Sequence, residues 1–363
     1  MTAIAPEAAQ SLAAAVAGRR KRTVATFSAL SAACLLVVLL SIGTGAVKLS
    51  PAQVLDILLS ASGGVSDPAT AGHALVVVNI RLPRILVGLM VGAALAVSGA
   101  LMQGLFRNPL ADPGLVGVSA GAGLAAAATI VLGDRLLAAG ALPTAALPGG
   151  AFAGGLAVTA LLYGMATRQG RTSIAVMLLA GVAIGALAGS LMGLLSYISD
   201  DRQLRDVTFW MLGSLGGASW SKVTSLAPAV LPVLVAVPFL ARGLNALVLG
   251  EAEAFHLGMP VQRLKRLCIV LVALAVGASV AVSGIIGFVG IVVPHVLRLA
   301  LGADHRVLLP GSALLGGTLL VGADMLARTI VAPAELPIGI LTSLLGAPFF
   351  LWLLLKRGGS FEA

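Results

Sequence analysis

The sequence predicts an all-α polytopic membrane protein of about ten transmembrane helices, with an internal inverted repeat and both termini on the cytoplasmic side. Three observations carry this reading. Of 363 residues, 59% are hydrophobic and only 10% charged, and the mean hydropathy is +1.06. With the 45 glycines the apolar share is about 71%, against roughly 45–50% in soluble domains, which also carry about 25% charge. So few charges do not cover a water-exposed surface of this size. The apolar residues fall in runs close to the ~20 residues a helix needs to cross hydrocarbon, and no ten-residue alternation of a membrane barrel is present. The basic residues, finally, sit mainly between alternate runs. A soluble enzyme, a nucleic-acid binder and a disordered chain are all poor fits.

The runs fall at 23–44, 84–105, 114–133, 145–166, 174–197, 223–241, 266–284, 285–302, 308–327 and 337–355. Residues 1–22 form a cytoplasmic N-terminal segment, and 23–357 a single transmembrane domain. The first run follows Arg19, Arg20, Lys21 and Arg22 without a cleavage site, so it reads as a retained span and not as a signal peptide. The seventh and eighth runs are nearly continuous, broken only by glycines and Pro294. Loops are clearest at 134–144 and 199–222. The second of these is amphipathic and carries Phe209, Trp210 and Trp220, residues suited to a membrane interface.

An even number of spans puts both ends on one side. With the N-terminus cytoplasmic, 15 of the 23 basic residues lie inside and 8 outside, the bias of an N-in, C-in protein. The net charge of +9 thereby becomes a statement about orientation. VGAALAVSG (91–99) matches VGASVAVSG (276–284) at seven of nine positions, and the register extends to Arg81/Arg266, Leu82/Leu267 and Pro109/Pro294. These copies lie five spans apart, so they cross in opposite senses, a device common in transporters. Glycines such as Gly88, Gly92, Gly99, Gly117, Gly121, Gly181, Gly185 and Gly189 recur at spacings that let helices approach closely.

Several chemistries are missing. No lysine follows a glycine, so there is no phosphate-binding loop of the GxxxxGK[ST] type, and no HExxH occurs. Cys34 and Cys268 lie in apolar runs outside any CxxC pattern. Asp324 is the one acid well inside a span, four residues before Arg328, and an i, i+4 pair is its simplest reading. An ion-coupled carrier usually shows more buried ionisable groups, and a membrane enzyme or scaffold finds no catalytic constellation. Energy for any transport then comes from a partner.

Two loops carry candidate sites. The stretch 243–265 is the longest inside loop, with Glu251 and Glu253, a break at Gly258-Met259-Pro260, and a basic end. Two short helices there make a docking element for a soluble partner, or else an ordinary basic juxtamembrane loop. On the outside, RLPR (81–84) sits at the mouth of the second span, where Pro83 can begin a helix. Arg81, Arg84 and Arg328 then project near the outer surface, as snorkelling anchors or as grips for carboxylates of an external protein.

At these residues the sequence resembles the permease subunits of ABC importers for cobalamin, ferric siderophores and haem, the FecCD type. RLPRILVGLMVGAALAVSGALMQGLFRNPLADPGLVGVSAGAG (81–123) carries the likeness, as do LLAGVAIG (178–185), LNALVLGEAEAFHLG (244–258), GFVGIVVPHVLRLALGADHRVLLPG (287–311) and AELPIGILTSLLGAPFFLWLL (334–354). The resemblance implies a homodimer in the bacterial inner membrane, two copies of a cytoplasmic ABC ATPase, and a periplasmic substrate-binding protein. Membrane lipid surrounds it and nucleic acid plays no part. It implies no cofactor or metal on this chain, ATP and Mg being bound by the ATPase, and so no enzyme activity of its own. By the same resemblance Arg81, Arg84 and Arg328 match arginines that meet acids of the binding protein. Gly250, Glu251, Glu253, Leu257 and Gly258 match the coupling element, and Asn108, Leu110, Thr172 and Ser173 match residues closing the cytoplasmic end of the path. The fifth and tenth spans would line that path. The segment 201–220 is most similar to haem permeases; a siderophore or cobalamin is the alternative substrate. By chemistry alone His73 and Tyr197 are the candidates for haem-iron ligands.

Overall fold

The computed structural model describes residues 6–45, 49–60, 68–136 and 145–357. Every apolar run coincides with a helix: α1 (Pro6–Gly43), α4 (Leu82–Phe106), α5 (Val118–Leu136), α6 (Ala146–Ala166), α7 (Ile174–Ile198), α9 (Trp220–Val248), α11 (Val261–Ser283), α12 (Val289–Leu301), α13 (His305–Ile330) and α14 (Ile338–Arg357). The shorter helices are α2 (Pro51–Ser60), α3 (Pro68–Leu75), α8 (Asp201–Met211) and α10 (Glu251–His256). Seven of the described helices are long and apolar enough to cross a membrane, while α5, α12 and α14 hold shorter apolar stretches. Of the loop expected at 134–144, residues 137–144 lie outside the described residues.

Three differences from the sequence reading matter. The run 285–302 does not start helical at its first residue: Gly284 (φ +70) ends α11, and α12 begins only at Val289. The second span does not begin at Pro83. A helical run extends upstream through a π-turn at Val76–Arg81 to α3, and this embeds the RLPR arginines within the helix instead of at its mouth. The repeat's continuation also diverges, because Pro294 lies inside α12 while Pro109 lies in the turn after α4. Among the described residues a single short hairpin interrupts the helices, β1 (Thr167–Arg168) and β2 (Arg171–Thr172), closed by Gln169 (φ 49) and Gly170 (φ 75). Positive φ at both central residues is what such tight turns require.

The core is organised around α4, which is buried over most of its length and packs on α13, α9, α11 and α12. Glycine sets these approaches. A Cβ at Gly99 would stand 1.9 Å from the Gly290 carbonyl oxygen, and one at Gly92 2.3 Å from that of Gly316. Close backbone contact of this kind substitutes for hydrophobic driving force inside lipid. On α7 the described residues of this chain supply no such neighbour: Cβ atoms at Gly185 and Gly189 would meet nothing within 4 Å.

Candidate functional site

The arginine cluster forms where α1 ends against α4 and α13. Arg84 is buried, and its guanidinium holds two carboxylates. Nε donates to Asp324 Oδ1 and Oδ2 at 3.1 and 3.0 Å, and Nη2 to Oδ1 at 2.9 Å. Nη1 and Nη2 donate to Glu335 Oε1 and Oε2 at 2.8 and 2.9 Å. Arg328 donates to the carbonyl and hydroxyl oxygens of Ser41 at 2.7 and 2.6 Å, and Arg81 donates to the Ile42 carbonyl. These are last-turn carbonyls of α1, orphaned at a helix C-terminus and carrying its partial negative charge. The Arg84 guanidinium hydrogen-bonded to Glu335 holds that carboxyl below its usual range, against an opposing effect of burial.

This corrects one expectation and extends another. Arg81, Arg84 and Arg328 do not project outward; they are turned inward onto acids and helix-end carbonyls. The physical reason is that an arginine within an apolar run needs neutralisation, and a partner inside the fold satisfies it. Asp324 does approach Arg328 at 3.7 Å, but its closer partner is Arg84, far away in sequence.

At the opposite end, the loop expected at 243–265 narrows to 249–260, because α9 runs to Val248 and α11 starts at Val261. Gly250 adopts φ +124 and ψ 157, a conformation essentially restricted to glycine, and a Cβ there would stand 2.2 Å from Glu253 Oε2. The six-residue α10 follows. Gly258 (φ +80) ends it with Gly258 N–H to Phe255 O at 2.9 Å and Met259 N–H to Ala254 O at 3.0 Å, a Schellman arrangement. Val248, Leu249, Phe255 and Leu257 are exposed around α10, and a cavity of about 650 Å³ opens beside it between Glu251, Phe255, His256 and Arg263.

Thr172 ends β2 and Ser173 follows it as the N-cap of α7, its Oγ accepting from Val176 N–H at 3.4 Å. Asn108 and Leu110 occupy the turn after α4, with Asn108 Oδ1 accepting from Leu110 N–H at 2.9 Å. Among the described residues no hydrogen bond joins these two pairs. What does join the hairpin to the loop was not predicted. Lys265, 2% exposed, pairs with Glu251 Oε1 at 2.6 Å and donates to the Thr172 carbonyl at 3.2 Å. Gln262 Oε1 accepts from Thr172 N–H at 3.1 Å. The sequence offers only a basic cluster at 263–266 as a signal for this bridge.

A third surface is apolar. Leu179, Val182, Leu187, Leu191 and Leu194 of α7 are exposed, as are Leu344, Leu345, Leu351 and Leu355 of α14. Tyr197 is 87% exposed at the end of α7, and His73 is half-buried on α3. Among the described residues no three His, Cys, Asp or Glu side chains come together as metal ligands.

A glycine-packed helical bundle with a loop-borne, partly apolar element at one end is the architecture of a polytopic membrane transport subunit. The sequence profile of the FecCD transport family matches residues 33–356. The chain is 53% identical over 279 residues to the hemin transport system permease protein HmuU of Yersinia pestis, covering 77% of this chain and 83% of that protein. It is 47% identical over 315 residues to the vitamin B12 import system permease protein BtuC of Escherichia coli, covering 85% and 94%. A solved metal-chelate type ABC transporter in an inward-facing conformation superposes with a TM-score of 0.78 and 34% identity, covering 91% of this chain and 98% of that one. The chain belongs to the FecCD transport family. It is a multi-pass permease subunit of an ABC importer in the bacterial inner membrane, working with ATPase and substrate-binding partners and not itself an enzyme.

Proposed function

We propose that this permease carries haem, or a related iron chelate, from periplasm to cytoplasm. The observation that carries the reading is the 53% identity to a hemin permease, against 47% to a vitamin B12 permease. The second of these similarities is what favours cobalamin as the other reading. In this account the chain works as a homodimer with both termini inside, and the exposed faces of α7 and α14 meet across the dimer axis and line the path. The open space beside Gly185 and Gly189 supports this, because small residues left without an internal neighbour suit a second helix from outside. ATP and Mg bind to the partner ATPase, and α10 with its exposed Phe255 and Leu257 docks on it. Apolar side chains of this size on a connecting loop are suited to a protein partner.

Motion of α10 then reaches the hairpin at Thr172 and Ser173 through Lys265, while Asn108 and Leu110 close the path from the other turn. At the outer end, a binding protein that engages Arg81, Arg84 and Arg328 must compete with Asp324, Glu335 and the α1 carbonyls. Its carboxylates therefore exchange partners instead of meeting free cations. ATPase activity of the reconstituted complex, with haem, cobalamin and a ferric siderophore each supplied on the binding protein, tests the substrate. Haem stimulation is expected; stimulation by cobalamin alone refutes the reading, and stimulation by the siderophore without haem stimulation refutes haem and leaves another iron chelate as the substrate.

A further inference from the structure

We propose that the groove between α6 and α9 is a specific site for an anionic phospholipid, with its phosphate held by Lys222 and an acyl chain laid along α11. Both α6 and α9 pack against α11, yet they make no comparable contact with each other. The result is a groove of about 740 Å³, floored by Leu274, Ala278 and Ala281 and walled by Phe152 and Pro228. All three helices are long and apolar enough to cross the membrane, so the groove faces hydrocarbon. On α9 its lining runs from Ser221 to Ala229, about 12 Å of helix rise. That is the shape and polarity of an acyl-chain slot with a polar end.

The polar end is Lys222, flanked on the lining by Ser219, Ser221 and Ser225. Lys222 is half-buried and lies in the first turn of α9, where a cation opposes the helix dipole. Among the described residues it has no ion-pair partner within 4 Å. Two acids on neighbouring elements are engaged elsewhere. Asp206 lines the adjoining cavity with Lys222 but pairs with Arg202 at 4.0 Å. Glu335 lies beside Gly216 but is held by Arg84. A lysine at the edge of the hydrocarbon layer needs either water or an anion. In a bilayer, the anion that brings its own apolar chain to fill the adjacent slot is a phospholipid.

The chain is purified into nanodiscs made from mixed phosphatidylglycerol and phosphatidylcholine, and tightly retained lipid is counted by native mass spectrometry. Preferential retention of phosphatidylglycerol is expected. Lys222→Ala should lower it about fivefold, equivalent to about 1 kcal/mol for one half-buried ion pair. Lys222→Arg should restore it, and Arg205→Ala on exposed α8 should leave it unchanged. Ala281→Leu, which fills the groove and keeps the charge, should lower retention of both lipids. Equal retention of the two lipids by the wild type, or undiminished phosphatidylglycerol in Lys222→Ala, overturns the proposal. Binding of inorganic phosphate that is lost in Lys222→Ala while lipid retention is unaffected would assign Lys222 to a soluble anion and overturn it equally. Should Lys222→Ala fail to fold, Lys222→Gln and Ala281→Leu carry the same comparison.

Discussion

Replacing Lys265 by methionine should separate ATP hydrolysis from substrate movement, and its energetic cost can be worked from the contacts. The lysine side chain is 3% exposed and its partner Glu251 is 41% exposed. Glu251 therefore turns to water when the ammonium is gone, and the 3–5 kcal/mol of a fully buried broken pair does not apply. A partly screened pair contributes about 0.5–1 kcal/mol. Loss of the charged donor to the Thr172 carbonyl adds about 1.5 kcal/mol, because that oxygen sits beside a buried residue. The sum is about 2 kcal/mol, with methionine keeping most of the apolar stem packed. Stability is read by SDS titration in mixed micelles for Lys265→Met, Glu251→Gln and the double variant.

The double-mutant cycle isolates the ion pair, and a coupling of about 0.5–1 kcal/mol is expected. Below about 0.3 kcal/mol the pair does not exist as a stabilising contact. Transport adds the second readout. With the ATPase partner in proteoliposomes, Lys265→Met should retain hydrolysis while uptake per ATP falls, and exchanging the charges (Glu251→Lys with Lys265→Glu) should recover part of it. Unchanged uptake per ATP would refute the bridge as a mechanical link, even if the stability cycle behaved as calculated.

Other perturbations read separate parts of the fold. Gly99→Ala places a methyl 1.9 Å from the Gly290 carbonyl oxygen and should cost about 3 kcal/mol or prevent folding, whereas Gly164→Ala meets open space and should be neutral in the same titration. Among the described residues, Arg84→Ala leaves Asp324, 4% exposed, with the 3.7 Å contact to Arg328. The cost should be about 3–5 kcal/mol, and folded yield in detergent should recover in part with Arg84→Ala/Asp324→Ala. Glu335 is held below its ordinary value of 4.5, so its pairing stabilises fully above that pH and fades as pH falls through the lower folded value. The stability difference between wild type and Glu335→Gln, about 0.5 kcal/mol for an exposed partner, should therefore shrink and vanish as the pH is taken down through the lowered folded value; a difference that does not fall with acidification refutes the pairing.

Local periodicity made the helices legible and left the partners of charged residues hidden. All ten apolar runs are helices, because length and hydropathy are properties of one segment. The ends drifted wherever the signal was mixed. Pro228, Pro232 and Pro238 invite a shortened helix, yet α9 runs unbroken from Trp220 to Val248, a tolerance that neighbouring helices give proline in membranes. Arg84 reads as an outward cation because its partners lie 240 and 251 residues away. Lys265 reads as one member of a basic cluster because its contact with Thr172 spans 93 residues. Sequence shows that a charge sits in an apolar setting; only packing shows which opposite charge meets it. The glycines divide in the same way, since Gly92 and Gly185 look alike in sequence while one touches α13 and the other touches nothing.

That division of glycines bears on how the subunit can move. Contacts made by Gly92 and Gly99 are backbone against backbone, and those of Gly290 and Gly316 add only Pro113 and Ala96, neither of which has a free rotamer to change. They fix α4, α12 and α13 as a unit that shifts as a whole or not at all. The adjustable contacts lie at its two ends, in the Arg84 fork and the Lys265 bridge, where long side chains can exchange partners without disturbing a helix crossing. Between them, α7 is tied to the rest of the chain through α5, α6 and the hairpin that Lys265 holds, while its outer face stays unpacked. A helix whose leading hairpin is held by a lysine hydrogen bond and whose outer face is bare is the element best placed to move when that anchor is pulled. A cross-link that locks α7 to α5, for instance between cysteines at Gly123 and Met192, where a Cβ at 123 would lie 3.3 Å from the methionine sulfur, should abolish uptake and leave ATP hydrolysis running. Uptake surviving a complete cross-link would place the moving element elsewhere.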